Sequence, residues 1–130
     1  MNSRQFAQIF GAIYLIVGIL GFIPGVTQAT TASYGAGGGA LLGLFPINYL
    51  HDVVHLVLGA WGLASAGSMA RAVSFCRAFA VILIVLGIYG FFSTGTDGLV
   101  PLSGYDTYLH LASGLLAAYF GWGAPAKAVA

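Results

Sequence analysis

Four long apolar segments are the feature that most limits how this 130-residue chain can fold. Each approaches the ~20 residues with which a helix crosses roughly 30 Å of hydrocarbon. Hydrophobic residues make up 59% of the sequence and charged residues only 5%, whereas about a quarter of residues are charged in ordinary soluble domains. Backbone polar groups in lipid must be hydrogen-bonded within their own segment. The sequence therefore predicts an all-α membrane protein, a single domain over 1–130 with a four-transmembrane-helix bundle at 6–23, 47–66, 74–92 and 105–122.

The few basic residues predict how this bundle is oriented. They are Arg4, Arg71, Arg77 and Lys127. If both termini and the connection around Arg71 are cytoplasmic, all of these lie on the cytoplasmic side, as the positive-inside rule requires. The outer connections, 24–46 and 93–104, then contain no Lys or Arg, and the Gly-rich stretch 35–43 is expected to be a flexible external loop. Since no basic stripe is present, nucleic acid is not an expected partner.

Several short segments from the first half of the sequence recur in the second half. GILGFIPG at 18–25 is similar to GIYGFFSTG at 87–95, LFPI at 44–47 is similar to LVPL at 99–102, and the tripeptide Tyr-Leu-His occurs at 49–51 and 108–110. This recurrence predicts two tandem helical hairpins related by a pseudo-two-fold axis along the membrane normal. His51 and His110 would then occupy equivalent positions.

Ionisable residues interrupt the second and fourth apolar segments. They are His51, Asp52, His55, Asp106 and His110. Such groups are costly in hydrocarbon, normally face the bundle interior, and are candidates for a functional site. His51 and His55 share one helical face, which Asn48 joins, and Asp106 shares a face with His110. The helical rise places all three histidines in the outer half of the membrane.

These residue types favour a binding site for a metal or a tetrapyrrole. Imidazole is a ligand of zinc, copper and iron, and a carboxylate can complete the coordination shell or orient a histidine. His51, His55 and His110 are therefore predicted ligands, with Asp52 or Asp106 as further ligands or orienting groups. In a haem site, His51 and His110 would be the axial ligands and His55 would contact the cofactor.

Two other interpretations remain open at the level of sequence. The histidines could make structural hydrogen bonds between the helices of an accessory or scaffold subunit of a larger membrane complex. They could also belong to a proton or ion pathway. The chain has no Glu, and no Ser, His and Asp arrangement has the spacing of a nucleophile elbow, so a non-enzymatic function is expected.

Three motifs resemble an uncharacterised family of small four-span bacterial membrane proteins, a domain of unknown function. They are Gly18-x-x-Gly21-Phe22-x-Pro24, Leu44-Phe45-Pro46-x-Asn48-x-x-His51-Asp52-x-Val54-His55, and Leu109-His110-Leu111. The resemblance covers nearly the whole chain, with Asp52 in place of the family's Asn. It implies the fold, a bacterial cytoplasmic (inner) membrane location and the importance of the histidine segment, but no activity. The lipid bilayer and a membrane protein or a second copy of the chain are the expected partners.

Overall fold

Four long helices dominate the structure, a computed structural model that describes residues 1–96 and 99–127. They are α1 (Ser3–Gly21), α2 (Tyr49–Ser65), α3 (Met69–Gly90) and α4 (Tyr105–Trp122), and one further turn, α5 (Ala124–Lys127), follows α4. The predicted helical architecture is thereby confirmed. Helices α1 and α3 are long and apolar enough to cross a membrane. Two residues of the second outer connection, 97 and 98, and the end of the predicted cytoplasmic tail, 128–130, lie outside the described residues.

Capping residues shift two of the predicted helix starts. Ser68 is the N-cap of α3, its hydroxyl oxygen accepting from the backbone N–H of Arg71, so α3 begins five residues before the predicted position 74. Asn48 is the N-cap of α2, so α2 begins at Tyr49 rather than at 47. A cap side chain supplies an acceptor for an otherwise unpaired helical N–H. The prediction from apolar runs missed both starts because the caps are short polar residues.

The connection between α1 and α2, which the sequence predicts to be an outer connection, forms a small antiparallel sheet. Its strands are β1 (Thr27–Gln28), β2 (Gly39–Leu41) and β3 (Phe45–Ile47), in the order β1-β2-β3. The Gly-rich stretch predicted to be a flexible loop therefore contains β2, and the predicted start of the second helix belongs to β3. Leu41 and Ile47 are buried, so the sheet contributes apolar side chains beneath the outer connection.

Glycines allow the helices of each hairpin to approach closely. The most extensive helix contacts are α1 with α2 and α3 with α4. A Cβ added to Gly59 would lie 2.5 Å from the backbone nitrogen of Leu15, and one added to Gly121 would lie 3.0 Å from that of Arg77. Small residues at such crossings are typical of helices that associate in membranes. The structure therefore contains two closely packed hairpins, α1–α2 and α3–α4.

Aromatic contacts between the hairpins follow the internal repeat. The Phe6 ring stacks on Phe120 at 4.9 Å, and the Phe75 ring meets Trp61 edge-on at 5.0 Å. Phe6 and Phe75 are separated by the same number of residues as Gly18 and Gly87. Trp61 and Phe120 are separated by the same number of residues as His51 and His110. These paired contacts agree with the pseudo-two-fold axis, which stays a prediction.

Arginine side chains close the opposite end of the bundle from the sheet. Arg4 Nε donates to the Ala66 carbonyl at the end of α2 at 2.7 Å, and Arg77 Nε donates to the Gly121 carbonyl near the end of α4 at 2.8 Å. Cationic donors there satisfy carbonyls that lack helical partners. Arg71, near the start of α3, lies at the same end because α3 directly follows α2.

Candidate functional site

Three imidazoles come together in the half of the bundle nearest the sheet. Helix α2 presents His51 and His55 one turn apart, and α4 brings His110 against them. One ring nitrogen from each histidine lies within 4.8 Å of the other two. The side chains of His51 and His110 are buried, and that of His55 is half-buried. The structure therefore places all three predicted histidine ligands in one cluster, which we call the histidine cluster.

Asp106 lies beside two of these rings. Its Oδ2 atom is 3.6 Å from His110 Nδ1 and 3.8 Å from His51 Nε2. Both distances exceed an ordinary hydrogen bond, yet the carboxyl group is buried and directly faces both imidazoles. Because Asp106 precedes His110 by one helical turn, α4 alone sets the relation between these two side chains.

Asp52 occupies a different place from the predicted one. Its carboxyl group is buried against α1, where it fills the space that a Cβ on Gly21 would need. Among the residues that the structure describes, the side chains grouped closely enough to hold a metal ion are the three histidines, without Asp52 or Asp106. Of the two predicted acids, the structure thus brings only Asp106 to the imidazoles.

Asn48 does not extend the histidine face either. Its Oδ1 accepts from the backbone N–H of His51 at 2.8 Å, and its Nδ2 donates to the carbonyls of Tyr34 and Leu99 at 2.9 and 2.8 Å. Asn48 therefore starts α2 and joins both outer connections to it. The expectation that Asn48 shares the helical face of His51 and His55 does not hold, because residue 48 is the N-cap and precedes the helix.

Several buried polar atoms in and beside the histidine cluster have no hydrogen-bond partner within the part of the chain that the structure describes. They are His55 Nε2, His110 Nδ1 and Asp106 Oδ2, with Asp52 Oδ2 and Thr107 Oγ1 farther away, whereas the His51 imidazole interacts with the Pro46 backbone. Burying an unpaired polar group is unfavourable, and the large majority of buried side-chain polar atoms in folded proteins are paired. Three unpaired atoms, from His55, His110 and Asp106, therefore make this place unusual.

Tyr14 is a part of this site that sequence reasoning missed. Its ring stacks on His55 with centroids 4.8 Å apart and planes inclined by 28°. A tyrosine within the apolar first segment was the available signal. Helical spacing could not link it to the histidines because the contact joins α1 to α2.

Two cavities flank the histidine cluster. One, of about 200 Å³, lies between α1 and α4, and the other, of about 150 Å³, lies between α2 and α3. Tyr14, His55 and His110 line both of them. The cluster therefore separates two small spaces within the bundle, which we call the α1/α4 cavity and the α2/α3 cavity.

Comparison with known proteins gives a family and no established activity. The family described as Domain of unknown function (DUF4383) matches residues 4–123. Neither the curated proteins nor the solved structures include a match. The matched range contains the whole histidine cluster, Asp106, Tyr14 and both cavities. The chain therefore belongs to this family of unknown function. Membership of an uncharacterised family was expected, whereas the four-span architecture and the motifs assigned to that family stay predictions.

Proposed function

We propose that this protein is a four-span membrane protein that binds one transition-metal ion through His51, His55 and His110. The observation that carries the proposal is the convergence of three imidazole nitrogens within 4.8 Å. Zinc and copper accept imidazole nitrogen as a ligand, and a three-histidine set leaves a further coordination position open. The bound ion would give a partner to the buried Nε2 atom of His55, which has none within the described part of the chain.

The distribution of polar side chains supports four membrane spans. On α2 and α4, the ionisable side chains of Asp52, His51, Asp106 and His110 are buried, while Val57 and Leu115 are exposed. This reverses the usual pattern of a soluble helix, which exposes its charges. Helix α2 has 17 residues, a length of about 26 Å, close to the hydrocarbon thickness. Lipid is therefore the environment that suits the exposed faces of α2 and α4 as well as those of α1 and α3.

The arginine end of the bundle supports a cytoplasmic location for both termini. Arg4, Arg71 and Arg77 belong to the end at which α1 and α3 begin and α2 and α4 end. The positive-inside rule assigns this end to the cytoplasm. The histidine cluster then lies in the outer half of a bacterial cytoplasmic membrane, beneath the small sheet.

Asp106 suits the role of an orienting group. A carboxylate that accepts the Nδ1 proton of a histidine leaves Nε2 free to bind the ion and makes it a stronger ligand. Asp106 Oδ2 faces His110 Nδ1 at 3.6 Å, so a small rotation of either side chain would form this hydrogen bond.

The dimensions of the site favour a single ion over a tetrapyrrole. The neighbouring cavities measure about 200 and 150 Å³, whereas pockets for organic ligands usually measure ~300–1,000 Å³. A purely structural role would require the imidazoles to pair with protein atoms, and among the described residues His55 Nε2 and His110 Nδ1 have no such partner. An ion pathway finds no support nearer the arginine end, where the described core consists mainly of apolar side chains such as Phe6, Phe75 and Phe120.

Metal analysis of the purified protein tests the proposal. The protein is prepared in detergent with an affinity tag free of histidine, and zinc, copper and iron are measured per chain before and after titration with Zn²⁺. We expect one ion per chain, and we expect a rise in melting temperature on loading because a ligand that binds only the folded state stabilises it. His55→Gln and His110→Gln should each lower the affinity at least about tenfold.

Cys76→Ser provides the matched control. It removes the only thiol of the chain, which is buried beside the Ser3 carbonyl, and it leaves the imidazoles intact. We expect this variant to bind the ion as the wild type does. Wild-type protein that stays free of metal after titration, or histidine variants that keep full affinity, would contradict the proposal. Circular dichroism shows whether each variant retains its helices.

A further inference from the structure

The two cavities occupy equivalent places in the internal repeat. Val17 and Ile47 line the α1/α4 cavity, whereas Leu86 and Leu102 line the α2/α3 cavity. Val17 and Leu86 are spaced as Gly18 and Gly87 are, and Ile47 and Leu102 end the matching LFPI and LVPL motifs. The α2/α3 cavity can therefore serve as a control for the α1/α4 cavity, because of these two only the α1/α4 cavity is also lined by Asp106 and Ser113.

The α1/α4 cavity reaches the apolar outer surface of the bundle. Ile13 of α1 and Leu109 of α4 both line it, and these side chains are 45% and 51% exposed. Helices α1 and α4 also contact each other much less than each contacts its hairpin partner. With the bundle in a membrane, the opening between Ile13 and Leu109 faces hydrocarbon, so a ligand would enter from the lipid.

The side chains that line the α1/α4 cavity suit a ligand that carries an uncharged oxygen atom. The walls are mainly aliphatic and aromatic, and the polar groups that line them are those of Tyr14, His55, Asp106, His110 and Ser113. Hydroxyl and imidazole groups donate and accept hydrogen bonds. Within the described part of the chain, the lining includes no Lys or Arg, so an anionic head group would have no counter-charge. His55 Nε2 and His110 Nδ1 are buried donors or acceptors that have no partner among the described residues.

The volume of the cavity fits one six-membered ring. An apolar cavity of ~150 Å³ is known to accommodate benzene, and the α1/α4 cavity measures about 200 Å³. A single ring with small substituents therefore fits, and a long alkyl chain attached to it must leave through the opening between Ile13 and Leu109.

We propose that the α1/α4 cavity binds the ring of a membrane-soluble quinone or phenol. The ring oxygen accepts or donates a hydrogen bond among Tyr14, His110 and Ser113, and the alkyl tail extends between α1 and α4 into the lipid. This binding site shares its membrane placement with the proposed function, but it requires no metal ion.

A decyl-substituted benzoquinone is the probe for this site. Its retention by the protein is measured in phosphatidylcholine nanodiscs, against nanodiscs without protein, by equilibrium dialysis and absorbance. We expect one saturable site per chain. Val17→Phe fills the α1/α4 cavity and should weaken binding at least about tenfold, whereas the matched variant Leu86→Phe fills the other cavity and should change it less than about twofold.

Further measurements separate this inference from the metal site. Val17→Phe should keep the zinc stoichiometry of the wild type, because it leaves the three imidazoles unchanged. Ser113→Ala, which removes the hydroxyl and adds no bulk to the cavity, should weaken quinone binding severalfold with the fold intact. Equal loss in Val17→Phe and Leu86→Phe, no retention above empty nanodiscs, or equally strong binding of decanoate would overturn the inference. Quinone binding without metal binding would support it and reject the metal site.

Discussion

Asp106 is the side chain whose position relative to the imidazoles makes the sharpest prediction. Asp106→Asn keeps the size of the group but weakens its ability to accept the Nδ1 proton of His110, which lies 3.6 Å from Oδ2. Loss of such an orienting carboxylate typically lowers metal affinity about 10- to 100-fold. We expect a decrease in this range when Co²⁺ binding is followed by its visible absorption in competition with a chelator.

The same substitution at Asp52 is the control for Asp106. Asp52 is equally buried but lies against Gly21, so Asp52→Asn should change metal affinity by less than about twofold. Equal losses in the two variants would show that any buried acid affects the site, and the orienting role of Asp106 would be rejected.

At the scale of residues, helical spacing predicted relations along one helix and missed those between helices. The i, i+4 spacing related His51 to His55 and Asp106 to His110, and both pairs are neighbours in the structure. The spacing could not show that Asp52 turns toward Gly21, because that depends on how α1 crosses α2. For the same reason, the stacking of Tyr14 on His55 was not predictable.

At the scale of elements, Asn48 controls how α2 begins. Asn48→Ala removes the cap acceptor of α2 and both hydrogen bonds to the outer connections, and should cost about 1–3 kcal/mol of unfolding free energy. Asn48→Ser keeps a cap acceptor, so its loss should be smaller by about 1 kcal/mol. Unfolding in detergent, followed by circular dichroism, measures both. Equal stability of the Ala variant and the wild type would contradict the capping role.

The crossing of α1 and α2 makes a second prediction at this scale. A Cβ on Gly59 would lie 2.5 Å from the Leu15 nitrogen and 2.8 Å from the Gly11 carbonyl oxygen. These are backbone atoms that cannot rotate away, so Gly59→Ala should push the helices apart and cost about 1–3 kcal/mol. The thermal midpoint in detergent measures the loss. The neighbouring Ala60→Leu, on the exposed face of α2, should be nearly neutral; a Gly59→Ala variant as stable as Ala60→Leu would refute the close crossing.

Apolar runs predicted the helices because burial in lipid and in the core both need long apolar segments. They could not predict the strands, since β1, β2 and β3 have only two or three residues each. Such short strands cannot show an alternating hydrophobic pattern in the sequence. They pair through backbone hydrogen bonds, and the chain bends around them at Gly35, Gly37 and Gly43, whose φ angles are positive.

At the scale of the whole molecule, the internal repeat predicted that the helices pair into two hairpins. It did not predict the two cavities, which arise where one hairpin packs against the other. Each hairpin is closely packed within itself, whereas α1 and α4 contact each other little. Both cavities arise along such inter-hairpin grooves. Cavity shape depends on the packing of side chains from all four long helices, which no sequence period encodes.

The orientation of the molecule in the membrane is open to a direct test. Cys76 is buried and can be replaced by Ala, leaving a chain without thiols. Into this background, Thr31→Cys places a thiol in the sheet-bearing connection and Ala70→Cys places one at the start of α3, both at exposed positions. Because the positive-inside rule predicts that the arginine end is cytoplasmic, a membrane-impermeant maleimide should label Thr31→Cys in intact cells and Ala70→Cys only after permeabilisation. Labelling of both variants in intact cells would contradict a cytoplasmic location of the arginine end. Labelling of Ala70→Cys alone in intact cells would place the histidine cluster in the inner half of the membrane.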